Sequence, residues 1–134
     1  MLETLAKIYD AGGRLVNVTC TLFEGDRTFV TAIGLRFETI SAVFRANPAD
    51  DTLIASVGSL KPNSDETLID ISDSSPWRTC LGTNACRLWQ LINQQGYPDG
   101  VRLEFGNSDA PSRAVIELLV AASAIRTLVA SNAT

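Results

Sequence analysis

A chain of 134 residues with 46% apolar and 19% charged side chains is long enough to form one domain around a sizeable core. Its net charge of −4, with eleven Lys and Arg scattered singly, argues against a nucleic-acid partner, which calls for a basic patch or stripe. Histidine is absent, which removes Ser-His-Asp and Cys-His nucleophile pairs and every histidine-ligated zinc, copper or iron site.

Cys20, Cys80 and Cys86 are odd in number and lack CxxC spacing, so neither a disulfide framework nor a four-thiolate metal site is expected. The N-terminus shows no basic stretch followed by an apolar one, and no run approaches the ~20 apolar residues of a membrane span. The expectation is a cytoplasmic chain with no cofactor, no bound metal and no membrane partner.

Leu2, Leu5, Ile8 and Tyr9 recur at helical spacing, and Gly12-Gly13 ends the pattern, which predicts a short N-terminal helix. From Arg14 the period becomes two. Val16, Val18, Cys20 and Leu22 share one face of a strand, with Asn17, Thr19 and Thr21 on the other. Glu24-Gly25-Asp26 reads as a hairpin turn. Phe29, Thr31, Ile33, Leu35 and Phe37 alternate along the returning strand. A third strand is predicted over residues 39–46, with Ile40, Ala42 and Phe44 inward. Asn47–Asp51 forms a loop, and a fourth strand covers residues 52–57. Gly58 to Pro76 reads mostly as connecting loop, with room for a short edge strand at residues 67–71.

Ala85, Leu88, Trp89 and Ile92 fall at i, i+3, i+4 and i+7, the spacing of one buried helical stripe. Thr83 or Asn84 suits its N-cap, and Gly96 sits where a left-handed C-terminal cap belongs. These signs predict a central helix at about 83–95, with Trp89 buried between it and the sheet. Pro98-Asp99-Gly100 then turns the chain into an alternating strand, 101–105. The run from Arg113 to Ala130 fits two descriptions. It matches a helix, and it also matches a doubly covered strand bent at Ala121-Ala122-Ser123.

Carboxylates are the remaining acid–base groups, and Asp50-Asp51, Asp99 and Glu104 are the pairs to weigh. Asp50-Asp51 lacks a calcium-loop pattern, and turn chemistry accounts for Asp99. Cys86, in the first turn of the predicted helix, is open to a lowered thiol pKa there, with Arg87 and Arg78 adding to the effect. The preferred reading of Cys86 and Cys80 is as small apolar residues packing under the sheet. No Gly-rich phosphate loop is present. Trp77, Arg78, Tyr97 and Asp99 are the residues that would line a ligand pocket.

The motif Trp77-x-x-x-Leu81-Gly82, Trp89, Asn93-Gln94-Gln95-Gly96-Tyr97-x-Asp99, Leu103-x-Phe105 and Ala122-Ser123-x-Ile125 resembles a group of small bacterial domains of unknown function, of a type met in cyanobacteria. The resemblance covers mainly residues 77–129. It implies no catalytic residues, and it implies strand rather than helix for the C-terminal run.

The expected fold is therefore α+β. It is a single domain over 1–134, an antiparallel twisted β-sheet (a meander) with an N-terminal helix and the central helix at about 83–95. The expected function is a non-enzymatic protein-interaction or regulatory module whose partner is itself or another protein. A homodimer is the economical form, with Arg113 or Arg126 at the rim of the contact. The alternative is a small-ligand-binding domain with its pocket between the central helix and the sheet.

Overall fold

Strand pairing accounts for most of the chain, because its period-two segments find partners in two antiparallel sheets. The computed structural model describes residues 1–107 and 114–132, with side chains through Ala130. In chain order the elements are α1 (Leu2–Ala11), β1 (Leu15–Phe23), β2 (Val30–Phe37), β3 (Ser41–Asn47), β4 (Thr52–Val57) and β5 (Glu66–Asp70). They continue with α2 (Trp77–Cys80), β6 (Asn84–Ile92), β7 (Pro98–Gly106), β8 (Ala114–Ala121) and β9 (Ala124–Asn132). The first sheet has the order β4-β3-β2-β1-β5 and the second β6-β7-β8-β9.

The inward faces of both sheets share one core. Val18, Ile33, Leu35 and Phe44 from the first meet Val101, Leu103, Phe105, Ile116 and Leu118 from the second, and α1 adds Leu5 and Ile8. The fold is mostly β with an N-terminal helix. The segment before β6 stitches the sheets together. The Leu15 N–H donates to the Thr83 carbonyl (2.8 Å), and the Gly82 N–H donates to the Leu15 carbonyl (2.9 Å).

The predicted central helix is a strand. Asn84 to Ile92 forms β6, paired along its length with β7. A register shift between Ala85 and Arg87 explains the misleading pattern. A bulge inserts one residue and reverses which parity faces inward. Ala85 and Leu88 therefore both turn toward the core three positions apart, which mimics a helical repeat. Gly96 does take a positive φ of 87°, as expected, but it serves the β6–β7 hairpin rather than a helix end. Trp89 consequently stands on the outer face and is 40% exposed. The buried tryptophan is Trp77, at 1% exposure, whose ring meets Phe105 edge-on at 6.3 Å between centroids.

A second bulge corrects β1. The shift between Leu15 and Asn17 leaves Val16 exposed and turns Leu15 inward, while Val18, Cys20 and Leu22 point inward as expected. The C-terminal run is a hairpin of two strands rather than one bent strand. Ala122 and Ser123, with φ of 52° and 67°, form its two-residue turn.

Gly58 to Asp65 is a loop with a structural task. It runs from β4, at one edge of the first sheet, to β5, at the other. Four strand spacings separate those edges, about 19 Å at ~4.8 Å each. The segment crosses the outer face, and small side chains make room for it. A Cβ on Gly34 would sit 2.8 Å from Leu60 Cβ and 2.9 Å from Thr19 Oγ1. Arg45, at the far end, donates to Glu66 Oε2 (2.8 Å) and to the Lys61 carbonyl (3.2 Å), which ties the strap down.

Truncating the two tryptophans is expected to give opposite results. Trp77→Ala should cost ~3–5 kcal/mol, the range for emptying a large aromatic site in a core. Trp89→Ala should stay within about 1 kcal/mol, as for most surface changes. Urea denaturation midpoints at a common slope measure both, and equal losses would contradict the assignment.

Candidate interaction surface

Cross-strand register defines the outer face of the second sheet. Trp89 stands opposite Arg102, Arg102 opposite Glu117, and Glu117 opposite Leu128, so one row spans all four strands. The neighbouring row runs Leu91, Gly100, Leu119 and Arg126. Gly100 has no side chain, and Leu119 and Leu91 close over it. A Cβ there would lie 2.6 Å from the Leu118 carbonyl oxygen and 3.4 Å from Leu91 Cδ1.

Four charged groups on this face form two pairs. Arg102 Nε donates to Glu117 Oε2 (3.0 Å), and its guanidinium lies 5.7 Å from the Trp89 ring centroid. Arg87 Nε stands 3.8 Å from Glu104 Oε2. The rim carries the large exposed apolar side chains. Trp89, Ile92 and Tyr97 lie on the β6 side, and Leu128 on β9. Among the described residues no element covers this face, whereas the strap covers its counterpart on the first sheet.

A groove of about 460 Å³ lies beside that face, between α1 and β6. Tyr9 and Asp10 form one wall and Cys86 to Trp89 the other. A smaller cavity of about 270 Å³ sits at the turn end of the first sheet, beside Phe23, Phe29 and the Arg45–Glu66 pair. Of the three charged residues in its wall, Arg45 and Glu66 are committed to each other and to the strap, and the third is Asp65.

Geometry separates the four residues expected to line a ligand pocket. Trp77 is buried against Phe105, and Arg78 beside it faces solvent. Tyr97 is exposed in the β6–β7 turn, and Asp99 is half-buried at the start of β7. Phe105 pairs with Ala85 at one end of this hairpin, and Pro98 pairs with Ile92 at the other. The ends are seven residues apart, roughly 23 Å at ~3.3 Å per residue. The structure brings Trp77 near Arg78 and Tyr97 near Asp99, and does not bring the two pairs together. With no central helix, the expected pocket between it and the sheet has no counterpart. Arg126 is exposed on β9, next to Leu119 on the outer face. Arg113 lies outside the described residues. Trp89, Leu128 and Tyr9 were not singled out as surface residues. The usable signal was Arg87 and Trp89 at spacing two, matching Arg102 and Glu104 at spacing two on the next strand.

The thiols are suited to packing. Burial pushes Cys80 up to about 12 and Cys20 up to about 11, the latter against the pull of Arg27. Cys86 is raised too, first by burial, then by the charge of Glu104 and the hydrogen bond to it. Its Sγ lies 3.4 Å from the Glu104 carbonyl oxygen and 3.6 Å from Glu104 Oε2. The lowered thiol pKa of a helix start is therefore overturned, because Cys86 lies in a strand beside a carboxylate. All three thiols are free.

Three carboxylates shift the other way. The Ser72 backbone N–H and then its hydroxyl hold Asp70 below its usual value, with Asn17 adding a third bond. Thr28 does the same for Asp26, through its hydroxyl and its N–H. Burial raises Glu66, but donors on Arg45, Asn63 and Thr31 together outweigh it and leave the group lowered. These groups are ionised at neutral pH and fasten turns and the strap. Among the described residues no group of three or more Cys, Asp or Glu side chains stands where it would hold a metal ion. No helix among them is long and apolar enough to cross a membrane.

Two measurements test this chemistry. Native labelling with a thiol reagent at pH 8 should be slow, with Cys86 reacting first and Cys20 and Cys80 only on unfolding. Rapid native labelling of Cys80 would contradict its burial. The lowered carboxylates set the acid limb. Their unfolded values are near 3.8 for Asp and 4.5 for Glu, so the unfolded chain binds more protons as pH drops past them. Their stabilisation is present above that range and is lost as pH falls through the folded values. Urea midpoints should drop below about pH 4, and Asp70→Asn should flatten that drop.

A family model described as a family of unknown function, DUF6334, matches residues 5–134. No curated protein and no solved structure matches the chain.

Proposed function

We propose that this chain, which belongs to the DUF6334 family, is a non-enzymatic protein-interaction module that self-associates through its four-stranded sheet. The observation that carries this reading is the contrast between the two outer faces. The first sheet is strapped by its own β4–β5 connection, while the second keeps Trp89, Leu91, Leu119 and Leu128 uncovered by any described element. Trp89 and Leu128 flank the central Arg102–Glu117 pair, with Leu91 and Leu119 in the next row. Uncovered apolar side chains grouped on one face suit an interaction site. The chemistry supports the same reading. The thiols are raised, the shifted carboxylates are bound into turns, and neither arrangement supplies a nucleophile or a base tuned to neutral pH. A cytoplasmic location suits three reduced thiols.

A second reading has one observation of its own. The groove between α1 and β6 joins two exposed aromatic rings, Tyr9 and Trp89, to Arg87 and Asp10. It takes the place of the ligand pocket expected beside a central helix.

Sedimentation velocity across a hundredfold dilution series decides between them. At micromolar concentration the expected species has twice the 14.4 kDa chain mass and dissociates on dilution. A single species of chain mass at every concentration defeats the self-association reading and leaves the groove.

A further inference from the structure

Among the described residues four strands are sheet edges, and three of them are blunted. β5 has five residues and carries Glu66 and Asp70. β4 has six, preceded by Asp50-Asp51 and followed by Gly58 at a φ of 139°. β6 is bridged at its start by Arg14, is flanked by α1, and shifts register near both ends. Short length, charge and bulges are the usual ways of keeping an edge from pairing. β9 packs on β2 and β3 near its start, where Ile125 is buried, but has none of these devices from Thr127 to Val129. It has nine residues, one charge (Arg126) and no proline, and Leu128 and Val129 are exposed on opposite faces.

The hairpin determines which β9 backbone groups point outward. Ala121 and Ala124 flank the two-residue turn, so they exchange hydrogen bonds with each other. Alternation from that pair leaves the N–H and C=O of Ile125, Thr127 and Val129 turned away from β8. The ladder is regular up to the Ile116–Val129 pair and shifts register beyond it.

We propose that β9 pairs antiparallel with β9 of a second copy about a two-fold axis through Thr127, joining two four-stranded sheets into one of eight. This rests on the self-association reading and names its partner and register. Only this register sets all three outward residues against one another, Thr127 against the partner's Thr127 and Ile125 against the partner's Val129. An axis at Leu128 would set Ile125 against the partner's Ser131, beyond the register shift. In the proposed register Val129 gains cover beside Ile125. Leu128 lies against the aliphatic stem of the partner's Arg126, whose guanidinium reaches the rim. A two-fold axis lets one unblunted edge supply both sides of the contact, and such dimers are the commonest soluble assembly.

Cysteine substitutions in the full chain test the register. Hydrogen-bonded antiparallel residues have Cα atoms ~5.5 Å apart, inside the ~4.4–6.8 Å range of disulfides. Thr127→Cys should therefore give a covalent dimer on mild oxidation, read on a non-reducing gel. Leu128→Cys, two positions out of step with its own copy, and the unmodified chain should not. Thr127→Pro removes an N–H that its own sheet does not use, so the fold should survive while the dimer dissociation constant rises at least about tenfold. A Leu128→Cys dimer without a Thr127→Cys dimer overturns the proposal. A wild-type dimer that Thr127→Pro leaves unchanged also overturns it, while self-association through another part of the sheet stands. A monomer at every concentration overturns both. Should Thr127→Pro unfold, the cysteine pair decides.

Discussion

The crossing from β4 to β5 is the constraint on which the rest of this structure depends. The two strands lie at opposite edges of one sheet, so the chain between them must pass over β3, β2 and β1. That passage demands a small residue beneath it, and Gly34 stands where a larger side chain would strike Leu60 of the strap. It also demands anchoring. Arg45 and Glu66 supply it at one end, and the Asn17, Asp70 and Ser72 hydrogen bonds supply it beyond β5. One outer face is thereby spent on the chain itself, and whatever the domain presents to a partner falls to the other sheet.

Bulges do comparable work on a smaller scale. In β1 and β6 a single extra residue changes which parity faces the core, next to the point where Arg14, Leu15 and residues 82–84 link the sheets. The added local twist of a bulge suits a chain turning from one sheet to the other. Trp77 and Phe105 fill the space beneath that junction. Trp89, three residues past the bulged Cys86, is left on the outside.

The chemistry of the side chains agrees with the architecture. The carboxylates with lowered pKa values stand at turns and strap anchors, where hydrogen bonds to them in the ionised form fix the backbone. The ion pairs on the bare face, Arg102–Glu117 and Arg87–Glu104, neutralise their strands side by side. Beside these pairs stand Trp89, Leu91, Leu119 and Leu128, with Arg126 on the β9 side.

Local order was legible in the sequence wherever strand alternation ran unbroken. The hairpin at Gly25, β2, β3, the bounds of β4 and the alternation in β7 all follow from period two and turn chemistry, which act over a few residues. The absence of histidine and the isolated cysteines likewise set the chemistry before any fold was known. Tertiary structure decided the rest. A bulge is visible only against its partner strand, so β6 looked helical and Val16 looked buried. A left-handed glycine ends a helix or turns a hairpin with the same φ, so Gly96 could not discriminate between them. Whether an apolar residue is core or surface depends on which sheet face meets the other sheet and which outer face receives the strap. That pairing joins residues as distant as Gly34 and Leu60, which no local pattern connects.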